Sequence, residues 1–389
     1  MEYKDAFDFP KRMNVSTSGA MKFTPNESKF IDFKTGKPVP GYVAPDGGAM
    51  VAAMQKYLEV SEKYEDMMHP SYFNFPAAKD IPEDLLMPFG EFVKKYGIED
   101  AVPQIWDATA QGLGDTMNMP TLFVNQGSGV AMARAMTGQT ASAVPASGRL
   151  YDLYEAVAKF LGSDVLYNTV VTSTLRTKKG VTVTVKGPNG KVTRIEAKRL
   201  LVTIEPTKAN LVPFDLDKSE KAILNKFKFT TVYAGILRHP SLQNLVAYTD
   251  RTNEPGSFNY TAFPLAPQVG RIDYLGGTED LFQFTAVGTT DDTSESMKKV
   301  IADAIDAMIQ AGTTEGAKGV PVEYKSFANH GHMHAHVSAD ELRRGFISDL
   351  NSLQGRKNIW YSGAAFSAGF STILWEFNKV LLPKLVQGL

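Results

Sequence analysis

Strict alternation of apolar and polar positions is clearest at Val181-Thr182-Val183-Thr184-Val185, a period of two that predicts a half-buried strand. Similar runs flank it at 165–177 and 192–196, and Asn189-Gly190 lies between the second and third, a strong hairpin signal. The three runs predict an antiparallel meander. It feeds a more continuous apolar run, Arg199-Leu200-Leu201-Val202-Thr203-Ile204, which predicts a buried strand stopped by Pro206. Elsewhere the period is helical. Met50, Val51, Met54, Tyr57 and Leu58 share one face within 49–70. Ile81-Pro82-Glu83-Asp84-Leu85-Leu86 places proline and acids where a helix begins, and a helix follows through Phe92-Val93-Lys94-Lys95-Tyr96. A helix starting near Tyr151 ends at Leu161-Gly162, and another over 294–310 carries Met297, Val300, Ile301, Ala304, Ile305 and Met308 on one side. Ser338 and Glu341 form a capping box for a helix through Leu353. The chain then reads as a strand, 358–361, ending at Gly363, a loop over 364–370, and a terminal helix. Residues 1–48 are polar and rich in proline and glycine, apart from Phe30-Ile31-Asp32-Phe33, a short strand entering a turn at Thr35-Gly36.

Composition narrows the function classes. Among 389 residues, 41 Lys and Arg balance 42 Asp and Glu, which gives no electrostatic case for nucleic acid or an anionic membrane. The absence of Cys excludes disulfides, thiolate metal sites and a thiol nucleophile. The start, Met1-Glu2-Tyr3-Lys4-Asp5, lacks a signal-peptide pattern, so a cytoplasmic protein is expected. The apolar block over 371–389 is broken by Glu376, Asn378, Lys379 and Pro383, which fits a buried helix rather than a membrane span.

Candidate chemistry is sparse. Thr121–Gln126 followed by Gly127-Ser128-Gly129 reads as a strand, a turn and a helix, but Met132 stands where a dinucleotide fingerprint needs its third glycine. Gly112-Leu113-Gly114 fails likewise, with Met117 in that place. His330, His332, His334 and His336 alternate, so on an extended strand their imidazoles share one face. That leaves a metal site, a polar lining and a proton relay all open, though no Asp or Glu lies in the run and no metal is assigned. No Ser–His–acid order and no nucleophile elbow is present. The aromatic-rich stretch 229–290 supplies core or the walls of a pocket for a flat molecule; Tyr233 and Tyr260, with His332 and His334, are its candidate contacts. The most informative unit is Trp360-Tyr361-Ser362-Gly363-Ala364-Ala365-Phe366-Ser367-Ala368-Gly369-Phe370-Ser371-Thr372-Ile373. A strand ends, small residues follow, and a helix begins: small side chains admit a ligand to the backbone, and unpaired N–H groups at a helix start attract negative oxygens.

These residues resemble the flavin-dependent amine oxidase superfamily, in its fungal beta-cyclopiazonate dehydrogenase-like branch. The likeness runs in order through Asp32-Phe33-Lys34-Thr35-Gly36-Lys37, Asp84-Leu85-Leu86-Met87-Pro88-Phe89-Gly90, Gln111-Gly112-Leu113-Gly114-Asp115, Leu200-Leu201-Val202-Thr203-Ile204, Leu353-Gln354-Gly355-Arg356 and Tyr361-Ser362-Gly363-Ala364-Ala365-Phe366. It implies an α/β (α+β) fold: an incomplete doubly wound FAD-binding domain interleaved with a mixed-sheet and helical substrate domain. The expected division is 1–146 mainly substrate domain, 147–210 flavin-domain meander and strand, 211–335 substrate domain, and 336–389 the closing flavin-domain strand and helix. It further implies FAD as cofactor and hydride removal from a small metabolite, often beside nitrogen. By the same likeness Gly363, Ala364 and Ala365 lie beside the diphosphate and ribityl chain. Ser371, Thr372 and Ile373 meet the ring system, Val171 holds the adenine through its backbone, and Thr203 and Pro206 close the wall.

Members of that superfamily begin with a strand, a Gly-x-Gly-x-x-Gly turn, a helix and a second strand ending in an acid, and Met1 falls after all of these. Three expectations follow: a truncated flavoenzyme, a chain completed by a partner or by self-association over open sheet edges, or a flavin-free isomerase, cyclase or binding relative that kept the substrate pocket.

Overall fold

Phe282, Phe284 and Ala286 are buried while Gln283 between them is exposed, so the strand Phe282–Gly288 presents one apolar row to a core. That row meets Met297, Ile301, Ala304, Ile305 and Met308 of the helix Ser294–Gln310, which begins and ends where its periodicity places it. Thr293 accepts a hydrogen bond from the Ser296 N–H at 3.1 Å, and the Ser296 hydroxyl accepts one from the Thr293 N–H at 2.9 Å. In the computed structural model, which describes residues 5–19, 25–108, 110–254, 262–277 and 279–389, this strand belongs to a seven-stranded sheet. Its order is Glu323–His336, Lys228–Arg238, Phe282–Gly288, Gln268–Tyr274, Val246–Asp250, Glu27–Asp32 and Lys37–Pro38. All neighbours are antiparallel except Val246–Asp250 against Glu27–Asp32. The turn after Glu27–Asp32 depends on Gly36, at φ 70°, because a Cβ there would run into the backbone of Ala307 and Met308.

A second core is mainly helical. Tyr57 and Leu58 of Gly47–Ser61, Phe89 and Phe92 of Phe89–Tyr96, and Leu122 and Phe123 of Thr121–Ser128 pack with Phe346, Leu350 and Phe377. The segment Thr121–Gln126, expected as a strand, is helix. Its side chains from Thr121 to Gln126 are all buried, so no polar face marks the helical period; a short apolar run then reads alike for either element.

The parallel pair Leu200–Val202 and Ile359–Tyr361 lies on this second core through Val202, Ile359 and Tyr361. The meander Val170–Thr177, Gly180–Lys186 and Val192–Ala197 is present as expected. Asn189 and Gly190 both have positive φ, 57° and 77°, which that turn demands. A bidentate ion pair from Arg176 to Glu220, both distances 2.7 Å and both side chains fully buried, joins the meander to the helix Lys218–Leu224. The terminal helix Ser371–Val386 buries Ile373, Phe377 and Leu381, one turn apart each. Among the described residues no helix is long and apolar enough to cross a membrane.

Candidate active site

Both parallel strands point their carboxyl ends at one place. After Val202 the chain runs through Glu205 to a buried Pro206; after Tyr361 it passes Gly363, at φ 112°, into the small-residue loop 364–370. Between that loop, the helix Thr121–Ser128 and the end of the strand Glu323–His336 lies a cavity of about 250 Å³. Ala364, Ala368, Gly369 and Phe370 form one side, Leu113, Phe123 and Gly127 another, and Met333, His334 and Ala335 a third. Its polar side chains are Glu205, His334 and Gln126.

Each is placed by a local device. Glu205 is tied down by its own carbonyl, which accepts from the Thr207 N–H at 2.8 Å and from Asn210 Nδ2 at 3.0 Å. Its Oε2 is buried with no hydrogen-bond partner among the described residues, and burial pushes the carboxyl up to about 7. Gln126 donates from Nε2 to the Ser367 carbonyl at 2.5 Å, and the Ser367 hydroxyl donates to the Pro70 carbonyl at 2.5 Å; the loop is thereby held to the helical core.

His334 owes its position to an interrupted strand. The register slips between Asn329 and His332 and again between Met333 and His336, with Gly331 at φ 77° and His334 itself at φ 54°. Its carbonyl accepts from His336 Nδ1 at 2.8 Å, and its imidazole lies where a Cβ on Gly112 would stand. The Thr230 hydroxyl donates to the Gly112 carbonyl and holds that loop in place. Burial pushes His334 down to about 4, so at neutral pH it is an uncharged imidazole.

The same slips scatter the histidines that ideal alternation would align. His330 is exposed, His332 Nδ1 lies 2.9 Å from Thr231 Oγ1, and His336 sits edge-on to Phe123 at 6.1 Å between ring centres. Among the described residues no three His, Asp or Glu side chains gather where they would hold a metal ion. Tyr233 is fully buried in the first core and donates to the Asp292 carbonyl at 2.7 Å; Tyr260 lies outside the described residues.

The remaining expected cofactor contacts fall in three places. Ala364 faces the cavity, Ala365 is buried behind it, and Gly363 lies close to the Thr203 carbonyl. Ser371 and Thr372 line a second, larger cavity of about 760 Å³ with Arg134, Leu153, Tyr154 and Trp375, while Ile373 is fully buried. Val171 packs on the meander's own small core, away from both. Sequence reasoning passed over Glu205 and Gln126. A carboxylate set between an apolar strand and Pro206 was the available signal for the first; nothing marked the second.

A family profile described as flavin containing amine oxidoreductase matches residues 24–264. The chain belongs to that family. It is 33% identical over 310 residues to beta-cyclopiazonate dehydrogenase of Aspergillus flavus, covering 79% of this chain and 65% of that protein. It is 30% identical over 366 residues to the FAD-dependent oxidoreductase pigF of Monascus ruber, covering 92% of this chain and 74% of that protein. The chain thus spans about two thirds of the length of these curated relatives. Among solved structures, a fatty acid isomerase from P. acnes superposes with a TM-score of 0.72 at 17% identity, over 99% of this chain and 85% of that one. A putrescine oxidase double mutant superposes at 0.60 and 14%, over 99% and 86%. These likenesses bear out the mixed α/β fold.

Proposed function

We propose that this member of the family is an FAD-dependent oxidoreductase that removes hydride from a small, partly aromatic metabolite. The observation that carries the reading is the cavity at the carboxyl ends of the two parallel strands, where ligands of open α/β sheets bind. The residues there suit a flat substrate held beside the cofactor. Gly363 holds a backbone conformation that a side chain would strain, Gly369 opens onto free space, and the walls are apolar. Gly363, Ala364 and Ala365 are assigned to the ribityl and diphosphate side, and Ser371, Thr372 and Ile373, through their backbone N–H groups at the start of the terminal helix, to its oxygens or ring edge. Val171 is assigned to the adenine, and Thr203 with Pro206 to the closing wall. FAD, when bound, supplies the hydride acceptor. The chain's own part is to exclude water with Leu113, Phe123 and Phe370 and to orient the substrate beside an uncharged His334.

Adding FAD to the purified chain tests this. Saturable quenching of flavin fluorescence and a resolved visible absorbance band are expected, both weakened in Gly363→Val. No uptake at a large excess of FAD overturns the reading. The same proposal includes association with a second copy. Tyr151, Tyr154 and Phe160 of the helix Tyr151–Leu161 and Leu166, Tyr167 and Val170 beside it are all exposed, and each strand of the parallel pair has a single neighbour among the described residues.

A further inference from the structure

The Glu205 carboxyl stands at the wall of a mainly apolar cavity, and its closed oxygen, Oε2, finds no donor among the described residues. A buried acceptor without a partner is costly, and such groups are few in folded proteins. No side chain that lines the cavity hydrogen-bonds that oxygen, and Gln126 directs Nε2 to the Ser367 carbonyl. The cavity is the right size for a one- or two-ring molecule. We propose that Glu205 is a substrate-binding residue whose carboxylate accepts a hydrogen bond from an N–H or O–H group of the ligand. The ligand class is a flat, largely apolar molecule carrying one such donor at its edge, next to the carbon that reacts.

This assignment deepens the oxidoreductase reading, on which it rests for the cavity being the substrate's place. It sets a specificity rule that the relatives' names do not state. The titratable side chains that line the cavity are Glu205 and His334. His334 stays uncharged over the neutral range, and Lys208, beyond Glu205 on its own segment, is exposed. Glu205 therefore sets the pH dependence of donor recognition. As a carboxylate it only accepts; once protonated it becomes a donor, and its preference for a donor ligand weakens.

The experiment compares two near-isosteric probes, 4-methylphenol and 4-fluorotoluene, which differ in one hydroxyl donor. Binding to the full chain without added FAD is followed by ligand-observed NMR. At pH 8 the phenol is expected to bind about tenfold more tightly, the usual order for a hydrogen bond to a charged acceptor. The preference should shrink as pH falls through about 7. In Glu205→Leu it should vanish. In Glu205→Gln, which keeps shape and an acceptor oxygen but cannot titrate, it should be small and independent of pH; this variant also serves if the leucine variant does not fold. Equal binding of the two probes, binding of neither, or a preference unchanged in both variants overturns the proposal. So does an effect of the two variants on riboflavin affinity with none on the phenol preference, because the carboxylate would then face the flavin ring. Failure of FAD uptake alone leaves the result standing, and loss of the phenol preference alone leaves the flavin reading standing.

Discussion

One methylene decides whether His334 can reach the cavity. Gly112 faces its imidazole so closely that an alanine there cannot fit unless the ring moves. Gly112→Ala is expected to swing His334 away and cost about 1–3 kcal/mol of stability as overpacking. A lowered thermal midpoint with weakened probe binding in the cavity would show it; a variant that melts and binds like the parent would refute it. The buried histidines also set the acid limb of stability. Burial pushes His69 and His334 from 6.5 down to about 4. Between those values the unfolded chain takes up protons that the folded chain refuses, so stability is fully present above about 6.5 and lost as pH falls towards 4. Denaturant midpoints across that window should fall, less steeply in His69→Gln. Glu205 acts in the other sense. Its carboxyl, raised from 4.5 to about 7, favours the fold least once ionised, so its penalty grows as pH rises through that interval. Glu205→Gln should therefore gain on the parent at pH 8 and not at pH 4. At this scale the sequence revealed the residue types but not their surroundings. Glu205 is an ordinary acid until two walls from distant parts of the chain close over it.

Elements differed in how openly their sequences declared them. The helix Ser294–Gln310 and the meander were legible because each has one wet face, so the period shows in the sequence. The hairpin at Asn189-Gly190 was legible because few residues tolerate its backbone. Thr121–Ser128 was not, since it is enclosed on all sides. The histidine run misled for a related reason: alternation predicts one shared face only if the strand keeps its register, and Glu323–His336 slips at Gly331 and His334. An expectation follows for the turn at Gly36. Gly36→Ala drives a Cβ into the backbone of Ala307 and Met308, where no side chain can yield. A loss of about 3 kcal/mol, measured by denaturant unfolding, is expected, with the cavity's probe affinity unchanged because that turn lies on the other core.

At the scale of the molecule, a caged cation ties the two cores together. Arg251, fully buried after the strand Val246–Asp250, pairs with Asp107 at 2.7 Å. Its guanidinium lies 4.7 Å from the ring centre of Tyr42 and 5.1 Å from that of Trp106, with Phe30 and Phe263 close by. Asp107 and Trp106 belong to the helix Val102–Ala108, on the helical side. Arg251→Met should leave Asp107 partly buried without its counter-ion and cost about 3–5 kcal/mol. Calorimetry should show a lower midpoint and, if the coupling is lost, two transitions in place of one. From the sequence alone, period and turn chemistry determined most of the element types, and the quoted motifs carried the family likeness and, through it, the mixed α/β class, because these depend on residues near each other in the chain. The tertiary structure alone decided that Glu205, Gln126 and His334 line one cavity, that Tyr233 does not reach it, and that the histidines diverge. Those outcomes depend on how separate segments pack and on where a strand loses register, and neither leaves a local mark in the order of residues.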